Sequence, residues 1–401
     1  MKSKTRNWNF LLFAFYLVFL AIGMCSIAVL RPIGGSAWRL ISGQYDVNEA
    51  KNTIESTLTD ELTYHDQMVE LNGLRENLLG TRVILKDDTI IVKSDSGSLV
   101  NVEDKIDDAD LLSTAGLIKQ LQEVSEENSA EFLYCAAPRK EFFEAVPENV
   151  SSSAYENYLS FLFSLNKREV PYINLTEALE ESRCDVHDLF YYTDHHWTSF
   201  AGFLVTNAIC EALNVRCGFD YSRLYSDINQ YDVTNYPDWF LGSWGKKVGS
   251  CFTSNGADDF ELIVPNFATD LTVEQPFKKE IREGSFENTV LYMENLEKNH
   301  YGVNTYATYS GGDFRLQIIR NNLNQEGVKM LVVRDSYACV VTPFLALQVG
   351  ELHICDVRDG TFYVGDKLNM AEYIEQIQPD YVIVLYTGVD GPTSSRYGFF
   401  S

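Results

Sequence analysis

The chain of 401 residues carries 57 acidic against 32 basic side chains, a formal charge of −25, and is 45% hydrophobic with 23 Tyr and 24 Phe. Core material on this scale excludes wholesale disorder. The charge argues against a nucleic-acid partner, since phosphate binding needs clustered Lys and Arg, and the pairs Lys246-Lys247 and Lys278-Lys279 read as solvated surface lysines.

Residues 7–30, "NWNFLLFAFYLVFLAIGMCSIAVL", form 24 consecutive positions without a charge, enough to cross a hydrocarbon core that needs ~20. Lys2, Lys4 and Arg6 precede them. Basic residues before an apolar span stay in the cytoplasm, so the pattern predicts a cytoplasmic tail over 1–6, a single-pass anchor over 7–30 and an extracytoplasmic remainder. A cleaved signal peptide is the competing reading. Against it, the stretch exceeds the roughly 7–15 residues of an h-region and no A-x-A site follows. No second apolar run of that length occurs.

"RPIGGSAW" at 31–38 has the Pro and Gly of a juxtamembrane linker, and 31–108 as a whole reads as linker plus an appended region. Within it a polar, helical piece through Leu79 is followed by "TRVILKDDTIIVKSDSGSLV", whose β-branched alternation about Asp87-Asp88 predicts a hairpin. No chemistry is assigned to residues 47–108.

From 109 to 401 the texture changes to alternating helices and short buried strands. "ADLLSTAGLIKQLQEVSEEN" has helical spacing, "AEFLYCAAP" is a buried strand, and "YENYLSFLFSLNKR", "VPYINL" and "TEALEES" continue the alternation. "HWTSFAGFLVTNAICEALN" predicts a helix capped by Thr198. After a loop-rich middle, "GVKMLVVRDSYACVVTPFLA", "ELHICDVR" and "AEYIEQIQPDYVIVLYTGV" restore strand and helix. The order predicts an α/β fold, a mostly parallel sheet with helices on both faces, whose sites form at the carboxyl ends of strands. Seven Cys lie outside the anchor, with no CxxC pair and no zinc spacing. They read as small buried hydrophobes, with a Cys210–Cys217 bridge left open.

Ser336 in "MLVVRDSYA" follows a buried-strand run, which puts its hydroxyl at the carboxyl edge of the sheet, before amides able to hold an oxyanion. A serine needs an adjacent base. "YYTDHHWTSFAG" at 191–202 offers one: positions i and i+2 of an extended segment share a face, so Asp194 can orient His196, with His195 turned elsewhere as a supporting residue. Two other readings stay open. Asp185, His187, Asp188, Asp194, His195 and His196 are a local density of metal-ligand types, without HExxH-like spacing; or the stretch is a structural loop.

"TDHHWT", "YSGGD" (309–313), "VVRDSYACVVTPFL" (332–345) and "ICDVRDG" (354–360) together resemble the DHHW family, part of the SGNH-hydrolase-like group that includes the alginate acetylation proteins of bacterial envelopes. The resemblance implies Ser336 as nucleophile, His196 as base and Asp194 as orienting carboxylate. Arg334 departs from the Gly or Lys that precedes "DS" in relatives. Gly311 and Gly312, with the Ser336 amide, are the candidate oxyanion or substrate-binding segment, against a plain turn. Arg358 is a candidate contact for a polar or anionic substrate group, against a surface ion pair. Trp197 and Tyr309 are candidates for stacking on a sugar ring, against core packing.

These features lead to the expectation of a membrane-anchored, extracytoplasmic serine O-acyltransferase or esterase acting on a cell-envelope polysaccharide or polyol polymer. No cofactor and no metal are expected, and a membrane-bound O-acyltransferase is the expected acyl supplier. A non-catalytic glycan-binding or envelope-assembly scaffold and a metallohydrolase are the alternatives.

Overall fold

A computed structural model of the chain describes residues 27–42, 64–86, 89–253, 255–360 and 364–400. Of the expected anchor, residues 7–26 lie outside the described residues; among those described, no helix is long and apolar enough to cross a membrane. The chain divides into two compact units, residues 1–81 with 247–252, and residues 82–246 with 253–401.

In the first unit, Ile27–Ile41 is a helix that includes the 31–38 stretch. A second helix, His65–Leu78, packs on the turn at 250–252. The Glu70 carboxylate accepts from the Ser250 amide (3.0 Å) and the Cys251 amide (2.9 Å). Gly73 permits this contact: a Cβ there would stand 2.4 Å from the Val248 carbonyl oxygen.

The second unit opens with the expected hairpin, β1 (Val83–Lys86) and β2 (Thr89–Lys93), extended to three strands by β3 (Leu99–Asn101). β4 (Glu131–Ala137) and β5 (Tyr172–Asn174) follow, then a two-stranded ribbon of β6 (Tyr231–Phe240) and β7 (Asp258–Pro265). β8 (Leu271–Gln275), β9 (Glu280–Gly284), β10 (Leu316–Asn321), β11 (Lys329–Arg334), β12 (Glu351–Cys355) and β13 (Tyr381–Thr387) complete the chain order.

The main sheet has eight strands in the order β5-β4-β13-β11-β12-β10-β8-β9. The five from β5 to β12 are parallel, and β10, β8 and β9 add antiparallel pairs at one edge. The sheet is thus mixed. The sequence concealed the antiparallel part because β8 and β9 are short and half-buried in alternation, which leaves no continuous apolar run to read.

The central strands bury both faces. On β13, Val382, Val384 and Tyr386 face a core with helices Asp108–Glu127 and Ala154–Lys167. Ile383 and Leu385 face the other core, with helix Ser199–Cys217. Each such aliphatic side chain contributes about 1.5–3 kcal/mol by leaving water. The Thr198 hydroxyl caps the Ser199–Cys217 helix by accepting from the Ala201 amide at 3.1 Å. Cys210 and Cys217 lie on this one helix as free thiols, and the Cys217 thiol donates to the Leu213 carbonyl at 3.0 Å.

Candidate active site

β4, β13 and β11 are neighbours, and their carboxyl ends bring Lys140, Thr387 and Ser336 to one rim. Asp335 shapes the turn after β11. Its Oδ1 accepts from the Tyr337 amide (3.1 Å) and its Oδ2 from the Thr387 amide (2.8 Å), which fixes Ser336 as the first residue of a short 3₁₀ helix, Ser336–Val340. At that position the amide has no partner within the helix, and among the described residues the Ser336 N–H makes no hydrogen bond.

The second segment arrives before the Ser199–Cys217 helix. Ser336 Oγ stands 2.7 Å from His196 Nε2, and His196 Nδ1 2.5 Å from Asp194 Oδ1. With the Nδ1 proton directed to the carboxylate, Nε2 is free to accept from the hydroxyl. Asp194 reaches the ring through a bend and not an extended segment, because its Oδ1 also accepts from the His196 amide at 3.0 Å. The imidazole is held flat against Tyr306, ring centroids 4.1 Å apart at 16°.

Burial alone would raise the Asp194 carboxyl, yet His195, His196 and the hydrogen bonds from His196 and the Ser243 amide hold it well below its ordinary value of 3.8. It is therefore ionised beside the imidazole. His195 takes a different part: Nδ1 lies 3.1 Å from Ser243 Oγ, and burial and the neighbouring His196 push it down, so it stays neutral.

Three surroundings of this loop were not legible as functional in the sequence. The segment 241–245 wraps it: the Ser243 amide donates to Asp194 Oδ2 at 2.5 Å and the Gly245 amide to the Thr193 carbonyl at 2.8 Å. Gly242 passes so close that a Cβ would stand 2.2 Å from Asp194 Cβ. Lys140, fully buried, donates to the carbonyls of Tyr191 (2.7 Å), Tyr192 (3.2 Å) and Asp194 (2.7 Å). The Asp258 carboxylate, from β7, accepts from the amides of Tyr192 (2.5 Å) and Thr193 (2.9 Å) and from the Thr193 hydroxyl.

A cavity of about 350 Å³ opens over Ser336, lined also by His195, Tyr337, Arg139, Arg358 and Asn101. Thr89 and Asn101 come from the three-stranded sheet, so the appended region, to which the sequence assigned no chemistry, forms part of the wall. The Leu99 amide docks it on the site loop through the Tyr192 carbonyl, 2.8 Å away.

The remaining candidates divide. Arg358 lines the cavity while its Nε and Nη2 hold Asp356 (2.6–3.1 Å) and Asp313 (3.1 Å); it makes ion pairs and keeps one edge toward the cavity. Trp197 and Tyr309 do not face it, a correction to the sugar-stacking reading: both are fully buried. Trp197 Nε1 donates to the Tyr337 carbonyl at 2.8 Å, and the Tyr309 hydroxyl accepts from the Ile263 amide at 2.8 Å. Burying large aromatic faces while satisfying the polar tip is what a core position demands.

Gly311 and Gly312 lie in the left-handed region, φ 75° and 88°, and neither lines the cavity. Their loop is tied from below by the unusual Arg334, whose guanidinium donates to Asp313 Oδ1 (2.6 Å) and the Gly312 carbonyl (3.0 Å). The metal-ligand types also separate. Asp185 and Asp188 form a capping box on the turn 186–189, and His187 stacks on Tyr192 at 3.8 Å. Asp194, His195 and His196 do cluster, with Asp194 Oδ1 and His196 Nδ1 facing each other in the bond above.

Residues 97–222 match the family model described as the SGNH hydrolase-like domain of the acetyltransferase AlgX. The resemblance to SGNH-like acetylation proteins stands. The matched SGNH-like stretch contains Asp194, His195 and His196 and ends before Ser336. No curated protein matches the sequence. Among solved structures, the chain is similar to PatB1 of Bacillus cereus, with 20% identity, TM-score 0.63 and coverage of 78% of this chain and 99% of that one. PatB1 carrying a sulfonyl adduct gives 21% identity, TM-score 0.62 and coverage of 80% and 100%. A DHHW family protein from Eubacterium siraeum follows at 17% identity and TM-score 0.55, over 76% of this chain and 92% of that one. These likenesses show a shared fold, and the family model describes its 97–222 stretch as SGNH-like.

Proposed function

We propose that the chain is an SGNH-like serine O-acyltransferase or esterase that forms an acyl-enzyme on Ser336 and acts on a cell-envelope polysaccharide or polyol polymer. The observation that carries this reading is the continuous relay from Ser336 Oγ through His196 to Asp194, at 2.7 and 2.5 Å. The acetyltransferase named in the family model supports the acyl chemistry.

In this reading His196 Nε2 takes the hydroxyl proton as Oγ attacks an acyl carbonyl, and ionised Asp194 stabilises the imidazolium that forms. The Ser336 amide, without a partner among the described residues, is one donor for the developing oxyanion. His196 then returns the proton to the leaving alcohol. A sugar hydroxyl, deprotonated by the same nitrogen, takes the acyl group; water in its place gives hydrolysis.

The uncharged stretch 7–30 supports an anchored protein with this site outside the cell membrane. There no acyl-CoA is at hand, so a membrane-bound O-acyltransferase would supply the acyl group. The adduct named for the PatB1 structure makes sulfonyl reagents suitable probes.

The test uses purified full chain and p-nitrophenyl acetate. The wild type should release p-nitrophenol with a burst matching the enzyme concentration, and Ser336→Ala should lose at least about a thousandfold in rate. Equal rates from both would remove the proposal. Adding candidate acceptor sugars separates the two fates, because transfer speeds p-nitrophenol release and yields acetylated sugar.

A further inference from the structure

Lys140 is an unusual side chain to find fully buried. Among the described residues it has no carboxylate hydrogen-bond partner; instead all three ammonium protons go to main-chain carbonyls of one loop, those of Tyr191, Tyr192 and Asp194. On the opposite polarity, the Asp258 carboxylate collects the amides of Tyr192 and Thr193 from the same loop. A cation gathers the loop's oxygens and an anion its N–H groups.

We propose that Lys140 and Asp258 form a charged clamp that sets the position of Asp194 and His196, with Lys140 a positioning residue whose protonation state governs how reactive Ser336 is. The proposal rests on the reading of Ser336 as nucleophile.

Only the charged form fits this role. An ammonium has three donors and no acceptor. A neutral amine keeps two N–H groups and turns a lone pair toward a carbonyl oxygen, so one carbonyl loses its donor and meets repulsion. Since one of the three carbonyls belongs to Asp194 itself, loss of a proton here reaches the relay through a single residue.

The surroundings place that loss within reach of ordinary buffers. Burial pushes the Lys140 ammonium down to about 8, opposed by Asp258, Glu141, Asp194 and Glu144, and the Trp244 ring lies 5.1 Å from its nitrogen. Burial pushes Asp258 up to about 6, opposed by its bonds from Thr193 and by Lys140. Both ends of the clamp are charged together between those values.

The experiment follows the rate of sulfonyl fluoride labelling of Ser336 in full chain from pH 6 to 10, corrected for reagent hydrolysis, beside hydrogen exchange of the 190–197 peptide. In the wild type, labelling should fall, and the 190–197 peptide should lose protection relative to the intrinsic exchange rate at each pH, as the pH passes about 8. Lys140→Arg keeps its charge throughout this range and should lose that alkaline fall. The same fall in both proteins would overturn the proposal. Where melting shows that the bulkier Arg is not accepted, Lys140→Met serves: it should label at least about tenfold more slowly at pH 7 and show no step near 8, whereas wild-type labelling in this variant would overturn the proposal. Should the wild type not label at all, the nucleophile reading fails, and exchange still decides the clamp: a pH step present in the wild type and absent from Lys140→Arg supports it, and identical exchange refutes it.

Discussion

Arg396 Nη2 donates to Asp335 Oδ2 at 2.5 Å, forming a buried ion pair one residue before Ser336. Through Asp335 the pair joins the end of β13, by way of the Thr387 amide, to the turn that presents the serine. Removing one partner of a buried, hydrogen-bonded pair costs about 3–5 kcal/mol, because the other charge is left uncompensated. Arg396→Met should therefore lower stability by that order in urea unfolding and slow ester turnover as well. A change under about 1 kcal/mol would show that Asp335 holds the turn without it.

Asp194 links the relay to stability through pH. Its folded pKa lies below the unfolded one, so its contribution is fully present above pH 3.8 and is lost as the pH falls from there through the folded value. Asp194→Asn should consequently lessen the loss of stability between pH 4 and 2, and at pH 7 should reduce ester turnover by about 10²–10⁴ through the wrong imidazole tautomer. Urea unfolding at several pH values and steady-state rates check the two parts separately.

Gly242 offers a steric test of the same carboxylate. A methyl group would sit 2.2 Å from Asp194 Cβ, where backbone and not a flexible tip stands in the way. Gly242→Ala should push Asp194 from His196 and cut turnover by about 10²-fold or more, the scale expected for a displacement near 1 Å. Wild-type turnover would mean that the 241–245 segment yields without moving the relay.

Trp197 and Tyr309 should behave as core residues. Trp197→Ala and Tyr309→Ala are each expected to cost about 3–5 kcal/mol of stability. Tyr309→Phe, which strips only the acceptor for the Ile263 amide, should cost about 1–3 kcal/mol and leave KM for a soluble ester unchanged. A selective rise in KM without loss of stability would restore the stacking role.

Much of the candidate site's arrangement was legible because the proposed chemistry needs residue types that are rare in combination. Ser336 follows a run buried on both faces, and an Asp two residues before a His has few other reasons to precede a capped helix. Even so, the pairing arises from a bend stabilised by the His196 amide, not from the alternation of an extended strand. Lys140 was invisible for a plain reason: in "PRKEFF" it resembles any surface lysine, and only the fold brings it to carbonyls 51 and 54 positions away. Gly242 and Asp258 are equally unremarkable until the 241–245 segment and β7 close around the loop. For Trp197 and Tyr309, an aromatic beside a polar motif reads the same whether it faces a sugar or a core; depth, which sequence does not encode locally, decided them.

Activation of Ser336 by His196 is open to a direct measurement. Full chain treated with a sulfonyl fluoride at pH 7.5, digested and mapped by mass spectrometry, should carry one adduct on Ser336, formed at least about a hundredfold faster than in His196→Ala. Adducts elsewhere with Ser336 unmodified, or equal rates in the two proteins, would contradict it.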